Sequence, residues 1–364
     1  MITEKKTIQI LVLTRYERLG ASSRLRILQY IPHLERKNIN FQVQSFFTNS
    51  DLEQKYSTGK YSFLTIVKSY LKRIFVLLRK NKFDLIWIEK EALPWIPYIF
   101  EKILLKNKPY ILDIDDAWFH IYDLHKNFLV RYFLGNRLDM LMRESSTVIC
   151  GNKYLQERAF SALAKNVKII PTVVDLDRYN STKLVTNKND NNENVTSIVW
   201  IGSPSTVKYL DVISKTLIKL SQKTRIKLIV IGATYHLQNI DVSCIKWSED
   251  TEIYSIKLGD IGIMPLYESA WESGKCGYKL IQYMACSLPV IGSPVGVNTE
   301  IIEHSKNGFL ASTEDEWESY FKILISDINL QKKYGDHGFK TVEEKYSLSS
   351  QVEKIEAIIR DSLN

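Results

Sequence analysis

Short apolar runs alternate along this chain with longer segments whose apolar residues recur every three or four positions. Short runs of this kind are typical of buried strands, and the longer periodic segments are typical of amphipathic helices. The runs that we predict as strands are 8–13, 41–46, 84–88, 110–114, 147–150, 167–170, 197–201, 227–231, 245–247, 261–264 and 289–291. Because strands and helices alternate, the pattern predicts parallel α/β sheets covered by helices on both faces.

The alternation is interrupted at residues 183–195, which are rich in Asn and nearly devoid of apolar side chains. Such a composition is typical of an exposed linker. We therefore predict two α/β domains, 1–182 and 196–345, on either side of it. The remaining residues, 346–364, hold a helix that begins near Ser349. Within the second domain, Thr313 and Glu316 form a capping box that predicts another helix start.

Charge and cysteine content restrict the partners and the cellular location that we expect for this protein. The net charge of +8 over 364 residues favours anionic partners such as phosphorylated ligands or acidic lipid. A nucleic-acid partner would rest on charge alone, because no motif interleaves aromatic and basic residues, and we expect none. The four cysteines form no CxxC pair and predict a reduced, cytoplasmic protein. A polar N-terminus predicts no signal peptide, and no apolar run is long enough to span a bilayer.

One segment, residues 61–82, combines helical apolar periodicity with a dense set of cations. These are Lys68, Lys72, Arg73, Arg79, Lys80 and Lys82. The pattern is typical of a helix that lies on an anionic membrane surface, at the inner face of the membrane. It is also typical of an ordinary helix that covers the first sheet with its lysines in water, and both interpretations stay open.

The stretch 271–285 predicts a helix from about Cys276. Its apolar positions are Leu280, Ile281, Met284 and Ala285. Lys275 and Lys279 lie at its N-terminal end, where the helix dipole disfavours cations, and they share a polar face with Gln282. Gly274 leaves backbone N–H groups unshielded there. Lysines, free N–H groups and a helix N-terminus suit an anion such as a phosphate; the alternative is a solvated lysine face.

Three segments of the second domain are predicted to converge at the carboxyl ends of its strands, where doubly wound sheets bind ligands. They are Gly202–Lys208, the 271–285 stretch and Ser293–Asn298. The first offers small residues, hydroxyls and a lysine after a strand. It matches neither GxGxxG nor the P-loop, so it is neither a Rossmann nor a Walker fingerprint.

These segments carry a family resemblance. Three stretches resemble the C-terminal half of group 1 glycosyltransferases, the retaining GT-B-fold family numbered four; they are Asp260–Leu266, Glu272–Ala285 and Leu288–Gly296. The stretch Trp200–Leu210 is similar to the start of that family's donor domain. The resemblance covers nearly the whole chain, most closely 197–311. It implies two Rossmann-like domains facing each other across a cleft, with the last helix crossing back to the first domain. The implied reaction moves a sugar from a nucleotide diphosphate sugar to a glycan or lipid-linked acceptor in polysaccharide or glycoconjugate synthesis.

The family's Glu-x7-Glu motif, which holds the donor sugar and the ribose, is altered here. Its second glutamate corresponds to Gln282 and its first to Gly274, while Glu272 lies two residues earlier. The resemblance implies that Glu272 acts at the sugar and that Gln282 bonds a ribose hydroxyl, more weakly than a carboxylate would.

The family's phosphate site is altered as well. The usual Gly-Arg after the first strand of the donor domain is Gly202-Ser203. Lys208 matches the family's phosphate lysine, and Lys275 or Lys279 supplies the second positive charge.

In the first half, Gly20 resembles the family's glycine in the loop that faces the donor phosphates. Arg24 nearby is either a phosphate cation or a helix-surface residue. Asp115, Asp116 and His120 follow the strand 110–114 and face the cleft if that strand is parallel; we predict catalytic roles for Asp116 and His120. The alternative for the two aspartates is loop solvation or helix capping.

Three other interpretations compete with this one. Asp113-Ile-Asp115 resembles the metal motif of GT-A enzymes and the nucleophile pair of haloacid-dehalogenase-type phosphohydrolases, both of which require Mg²⁺ or Mn²⁺. Neither explains the second α/β half. The missing second glutamate motivates the other alternative, a degenerate, non-catalytic partner subunit. The family resemblance itself implies a metal-independent reaction without a cofactor.

Overall fold

The computed structural model describes residues 7–181 and 195–363, so the predicted linker lies almost entirely outside the described residues. The chain divides into two compact units. Unit 1 comprises Met1–Thr172, Gly274–Cys276 and Gln351–Asn364, and unit 2 comprises Val173–Ser273 and Gly277–Ser350. The domain boundary at 183–195 stays a prediction.

Unit 1 contains a six-stranded parallel sheet in the order β2-β1-β3-β4-β5-β6. Its strands are β1 Ile8–Tyr16, β2 Ile39–Phe47, β3 Leu85–Glu89, β4 Tyr110–Ile114, β5 Thr147–Cys150 and β6 Val167–Ile169. All six were predicted from the apolar runs, within a few residues at their ends. The carboxyl ends of these parallel strands share one edge of the sheet, which is where the loops after β1, β3 and β4 meet.

Helices connect these strands. They are α1 Ala21–Ser23, α2 Ile31–Glu35, α3 Asn49–Thr58, α4 Phe63–Leu78, α5 Tyr98–Leu105, α6 His120–Asp123, α7 Phe128–Leu134, α8 Arg137–Glu144 and α9 Lys153–Ser161, with a π-helical stretch at Arg24–Leu28 and a 3₁₀ turn at Lys80–Lys82. The segment 61–82 is thus α4 followed by a short turn. Arg73, predicted among its solvent-facing cations, is 1% exposed, and that part of the prediction is wrong. Its guanidinium donates to the carbonyl oxygens of Thr14 and Ala92, at 2.6 and 3.1 Å, which explains why it is buried.

Unit 2 contains a second six-stranded parallel sheet in the order β12-β11-β10-β7-β8-β9. Its strands are β7 Thr196–Ile201, β8 Ile226–Ile231, β9 Asp241–Ile245, β10 Ile261–Met264, β11 Val290–Gly292 and β12 Gly308–Leu310. The strand predicted at 245–247 is wrong, and β12 was not predicted. Both errors fall on edge strands. β9 has no fully buried residue, so it lacks the apolar run that marks an inner strand.

The helices of unit 2 pack around this sheet. They are α10 Leu176–Ser181, α11 Ser214–Ser221, α12 Glu252–Ile256, α13 Ala270–Ser273, α14 Tyr278–Ala285, α15 Asn298–Ile301, α16 Glu314–Ser326 and α17 Ile328–Lys345, with a 3₁₀ helix at Val207–Ile213. The predicted capping box opens α16: Thr313 accepts from the backbone N–H of Glu316, whose side chain accepts from that of Thr313. The last helix, α18 Ser349–Asp361, groups with unit 1 from Gln351 onward.

Each unit has its own apolar core on both faces of its sheet. In β7, Ile198 and Trp200 belong to the cluster on one face, whereas Val199 and Ile201 belong to the cluster on the other. Successive side chains of a strand point to opposite faces, so a strand covered on both faces must be apolar throughout. This explains why the inner strands appear in the sequence as short, continuous apolar runs.

Candidate active site

The three segments predicted to converge in unit 2 do so. Tyr209 directly follows the first segment in the 3₁₀ helix Val207–Ile213, and its hydroxyl lies 2.6 Å from Oε1 of Glu272 in α13. The other carboxylate oxygen of Glu272 accepts from the hydroxyl of Ser269. Tyr209 is 3% and Glu272 6% exposed, so this carboxylate is held by at least two hydroxyl donors inside the unit. Sequence reasoning identified Glu272 but missed Tyr209, which lies next to the predicted Lys208.

Two glycines let the third segment approach the second. Gly296 has φ of +53°, and a Cβ there would lie 2.8 Å from the carbonyl oxygen of Ser273. Gly277 has φ of +65°, and a Cβ there would lie 2.3 Å from a methyl of Ile301. Side chains other than glycine rarely adopt this backbone conformation. The loop before α15 therefore packs on the backbone that carries Glu272 and opens α14.

Helix α14 begins at Tyr278, two residues later than predicted, because Gly277 adopts the left-handed conformation at its N-cap. Its predicted apolar residues are buried. Lys279 lies in the first turn, with Nζ 5.4 Å from the Trp200 ring centroid. Gln282 is 3% exposed, so its predicted place on a polar face shared with the lysines is wrong. The reason is that α17 and other elements of unit 2 cover α14 on several sides, which leaves little of an eight-residue helix in water.

The segment after β7 forms a tight hydroxyl-rich turn. The backbone N–H of Ser203 donates to Thr206 Oγ1 at 3.1 Å, and that hydroxyl donates back to the Ser203 carbonyl at 3.0 Å. A Cβ at Gly202 would lie 2.5 Å from the Trp200 ring, so glycine is required for this close approach. Lys208 follows with an exposed side chain, its Nζ 5.6 Å from the Tyr209 ring centroid. Lys208 and Lys279 thus lie beside the rings of Tyr209 and Trp200, respectively.

In unit 1, Asp113 near the end of β4 and Asp115 just after it lie in a buried network of charges. Arg26 Nε lies 2.8 Å from Asp113, and Lys90 Nζ lies 3.0 Å from Asp115. Burial raises the pKa of Asp113 to about 6 although Arg26 opposes the shift. Burial also acts on Asp115, but Lys90 and Arg26 outweigh it and lower the pKa of that carboxyl. Asp113 and Asp115 are therefore each neutralised by a cation of their own unit.

Asp116 and the predicted Lys275 and Gly274 come together in unit 1. Asp116 lies 3.8 Å from the ammonium of Lys90 and 3.8 Å from that of Lys275. A Cβ at Gly274 would lie 2.4 Å from the backbone nitrogen of Ala117, so the loop 274–276 packs directly on the loop after β4. Lys275 is consequently outside α14 and paired with a carboxylate, and the predicted i, i+4, i+7 face of Lys275, Lys279 and Gln282 does not exist.

His120, predicted as catalytic, begins α6 and has both ring nitrogens engaged. Nδ1 lies 2.8 Å from Asp123 Oδ1 and Nε2 lies 2.7 Å from the hydroxyl of Tyr154. The ring also packs edge-on against Phe119. These contacts fix the ring position within unit 1, and the catalytic role stays a prediction.

The glycine loop after β1 is closed by its own residues. A Cβ at Gly20 would lie 2.4 Å from Tyr16 Cβ, so the loop folds directly over the end of β1. Arg24 is 3% exposed and donates to the Arg18 carbonyl at 2.7 Å. It is a buried residue at the start of the π-helical stretch Arg24–Leu28, and the helix-surface interpretation is wrong.

Sequence reasoning missed Glu89, Lys90 and Glu91, whose side chains connect these loops through hydrogen bonds and ion pairs. Glu89 accepts from the Ser23 hydroxyl at 2.6 Å. Glu91 pairs with Arg15 at 3.0 Å and also with Arg137. Burial acts against the charge of Lys90, but its neighbouring aspartates outweigh it and raise its pKa. The available signal was three consecutive charged residues at the end of an apolar strand. Among the described ranges, no group of three or more metal-ligating side chains is arranged around a common point.

The comparisons with known proteins agree with this architecture. Residues 195–327 match the family described as glycosyl transferases group 1. An uncharacterized glycosyltransferase of Methanocaldococcus jannaschii is 22% identical over 312 residues, which cover 80% of this chain and 79% of that relative. Two solved structures share the fold. HepE of Anabaena, in complex with UDP and glucose, has a TM-score of 0.70 at 16% identity and covers 97% of this chain and 99% of its own. A glycosyltransferase from Rickettsia africae has a TM-score of 0.70 at 16% identity over 99% and 100%.

The two parallel sheets and these matches define the class of protein: the chain is a glycosyltransferase with the GT-B fold. Residues 195–327 form its group 1 glycosyl transferase domain. The predicted resemblance to group 1 glycosyltransferases and the predicted GT-B fold are thereby confirmed, whereas the retaining reaction stays a prediction.

Proposed function

We propose that this protein transfers a sugar from a nucleoside diphosphate sugar to a glycan or lipid-linked acceptor, with retention of configuration at the anomeric carbon. One observation supports this above the others. Glu272 is held by Tyr209 and Ser269 where three loops of unit 2 meet. Lys208 and Lys279 lie on the elements next to it. In our proposal the carboxylate binds the donor sugar and the two lysines bind the diphosphate.

In the proposed step, the bond between the anomeric carbon and the diphosphate oxygen breaks with its electron pair leaving on the diphosphate. The acceptor hydroxyl oxygen forms its bond to the same face of that carbon. The acceptor proton goes to the departing phosphate oxygen. Lys208 and Lys279 stabilise the negative charge that develops on the diphosphate, because cations already in place lower the cost of charge development.

Metal independence is part of the proposal. The two lysines supply positive charge on the donor side, and the carboxylates at the end of β4 that could hold a cation, Asp113 and Asp115, are paired with Arg26 and Lys90. A uridine diphosphate sugar is the first donor to test, because HepE, which shares the fold, was solved in complex with UDP and glucose. The acceptor would belong to cell-surface polysaccharide or glycoconjugate synthesis.

We also propose that the protein is cytoplasmic and binds the inner face of a membrane through α4, where a lipid-linked acceptor would be available. The exposed apolar residues and cations of α4 support this. No helix in the described parts of the chain has the length and hydropathy that a membrane span requires.

The test is a thermal-shift screen with UDP-, GDP- and ADP-sugars, followed by a transfer assay with the donor that stabilises most. A ligand that binds only the folded state raises the unfolding temperature. NMR of the product should show the donor's anomeric configuration. An inverted product would contradict the retaining reaction. Tight nucleotide binding without hydrolysis or transfer to any acceptor tested would instead support the degenerate partner subunit.

A further inference from the structure

The surface of unit 1 carries an unusual density of exposed apolar side chains. Five of the sixteen residues of α4 are large, apolar and exposed: Phe63, Leu64, Leu71, Phe75 and Leu78. Phe63 is 82% exposed and Leu78 68%. Exposed apolar residues in such density mark an interaction site rather than a solvated face.

The same face of the sheet continues this surface. The connections from β2 to β3, from β3 to β4 and from β4 to β5 all run in one direction along the sheet. Because crossovers between parallel strands are right-handed, their helices lie on one face. Helix α4 contacts α5, and α5 contacts α8. Helix α5 adds exposed Ile99 and Ile103, and α7 adds Phe128, Tyr132 and Phe133.

The charge around α4 has a single sign. No acidic residue occurs between Glu53 and Asp84, whereas that interval contains eight lysines and arginines. Of these, Arg73 is buried and serves the fold. The cations that remain in solvent favour an anionic partner with an apolar layer beside its charge.

A concavity of about 280 Å³ lies between α4 and the edge strand β2. Three cations line it, Lys72, Arg79 and Lys82, together with Gln42 and Gln44. The Gln44 amide is already engaged, because its oxygen accepts from Arg73 and its nitrogen donates to the Ser45 carbonyl. None of the described residues that line it is acidic. The Arg79 guanidinium carbon lies 3.8 Å from the ring centroid of Phe75, which itself lines the concavity and is half-exposed. Charged and apolar groups therefore meet at the rim.

We propose that this concavity binds the phosphate of an anionic lipid headgroup, while Leu71, Phe75 and Leu78 contact the adjoining acyl region of the same bilayer. Three cations and the Gln42 amide suit the charge and the acceptor oxygens of a phosphate. A soluble phosphate would not contact the exposed apolar residues beside these cations, whereas a bilayer would bury them. We therefore assign the bilayer as the occupant. The inference rests on the proposed membrane location of the protein and adds the site that recognises the lipid.

The experiment measures binding of the full chain to vesicles of phosphatidylcholine with and without phosphatidylglycerol. The test variant changes Lys72, Arg79 and Lys82 to Gln. The matched control changes three exposed lysines of α17 in unit 2 to Gln and so has the same net charge; these are Lys332, Lys333 and Lys340.

Each cation near an anionic surface contributes about a fivefold gain in binding, so the test variant should bind phosphatidylglycerol vesicles roughly a hundredfold more weakly than wild type. The control should lose much less. Equal losses in the two variants would overturn the concavity as the lipid site. Changing Leu71, Phe75 and Leu78 to Ser should also weaken vesicle binding, because apolar burial adds to the charge attraction.

Two further measurements separate the possible failures. If millimolar inorganic phosphate stabilises wild type but not the test variant, while vesicle binding is equal in both, the site binds free phosphate and the lipid assignment is overturned. Hydrolysis of the nucleotide sugar in detergent-free buffer should be unchanged in the test variant. If wild type binds no vesicle but transfers sugar, the membrane location and this inference both fail and the proposed reaction stands.

Discussion

Replacing Tyr209 by Phe removes the hydroxyl that donates to the buried carboxylate of Glu272. The two oxygens are 2.6 Å apart, and both residues are more than nine-tenths buried. A hydrogen bond to a charged group contributes about 1.5–3 kcal/mol. The substitution removes one oxygen and leaves the ring in place, so little packing is lost with the bond. We therefore expect Tyr209→Phe to lower the free energy of unfolding by about 1.5–3 kcal/mol.

The same change should affect catalysis selectively. If Glu272 binds the donor sugar, a carboxylate that has lost one of its donors is less well positioned for it. We expect kcat/KM for the nucleotide sugar to fall roughly tenfold to a hundredfold, since about 1.4 kcal/mol corresponds to a factor of ten. The affinity for the free nucleoside diphosphate should stay near the wild-type value, because the diphosphate is bound by the lysines.

The assays are urea unfolding, calorimetric titration with the nucleoside diphosphate, and initial rates of transfer. The control is Tyr235→Phe, because the hydroxyl of Tyr235 lies 3.0 Å from Asp211 in an exposed pair of the same unit. That variant should be within about 1 kcal/mol of wild type and fully active. The reasoning is refuted if Tyr209→Phe is as stable and active as this control. An equal loss of nucleotide affinity and of turnover would instead mean that Glu272 holds the loop and not the sugar.

Three further predictions concern charge. Lys279→Ala should weaken nucleoside diphosphate binding by roughly tenfold or more in calorimetry, as expected for a charge-assisted bond, whereas Lys215→Ala on the exposed surface of α11 should not; wild-type affinity would make Lys279 a solvated residue. Turnover should survive EDTA, and loss that Mn²⁺ restores would favour Asp113 and Asp115 as metal ligands. Neighbouring lysines lower the pKa of Glu318 from the usual 4.5 to about 2. Its stabilising effect should thus be complete above pH 4.5 and vanish as the pH falls toward 2. Urea unfolding across this range should show a shallower pH dependence for Glu318→Gln, and identical curves would contradict it.

Much of the fold could be predicted because burial leaves a local pattern in the chain. An inner strand of a covered parallel sheet must be apolar on both sides, so β1, β4 and β7 stand out without knowledge of their neighbours. A capping box is likewise local, since Thr313 and Glu316 are three residues apart. The convergence of three segments in unit 2 followed from topology, because the loops after parallel strands share one sheet edge.

The sequence by itself therefore determined the two α/β halves, most of their strands and the place of Glu272. Only the tertiary structure decided which charged side chains are internal. Arg26 bonds Asp113, which is 87 residues away in the chain, and Arg73 is buried against carbonyl groups of strand β1 and of the loop after β3. The local sequence pattern of a helix does not distinguish such a buried arginine from a solvated one. The tertiary structure also decided that Tyr209 donates to Glu272, because a hydrogen bond depends on two positions in space, whereas periodicity reports only how each position is buried along its own element.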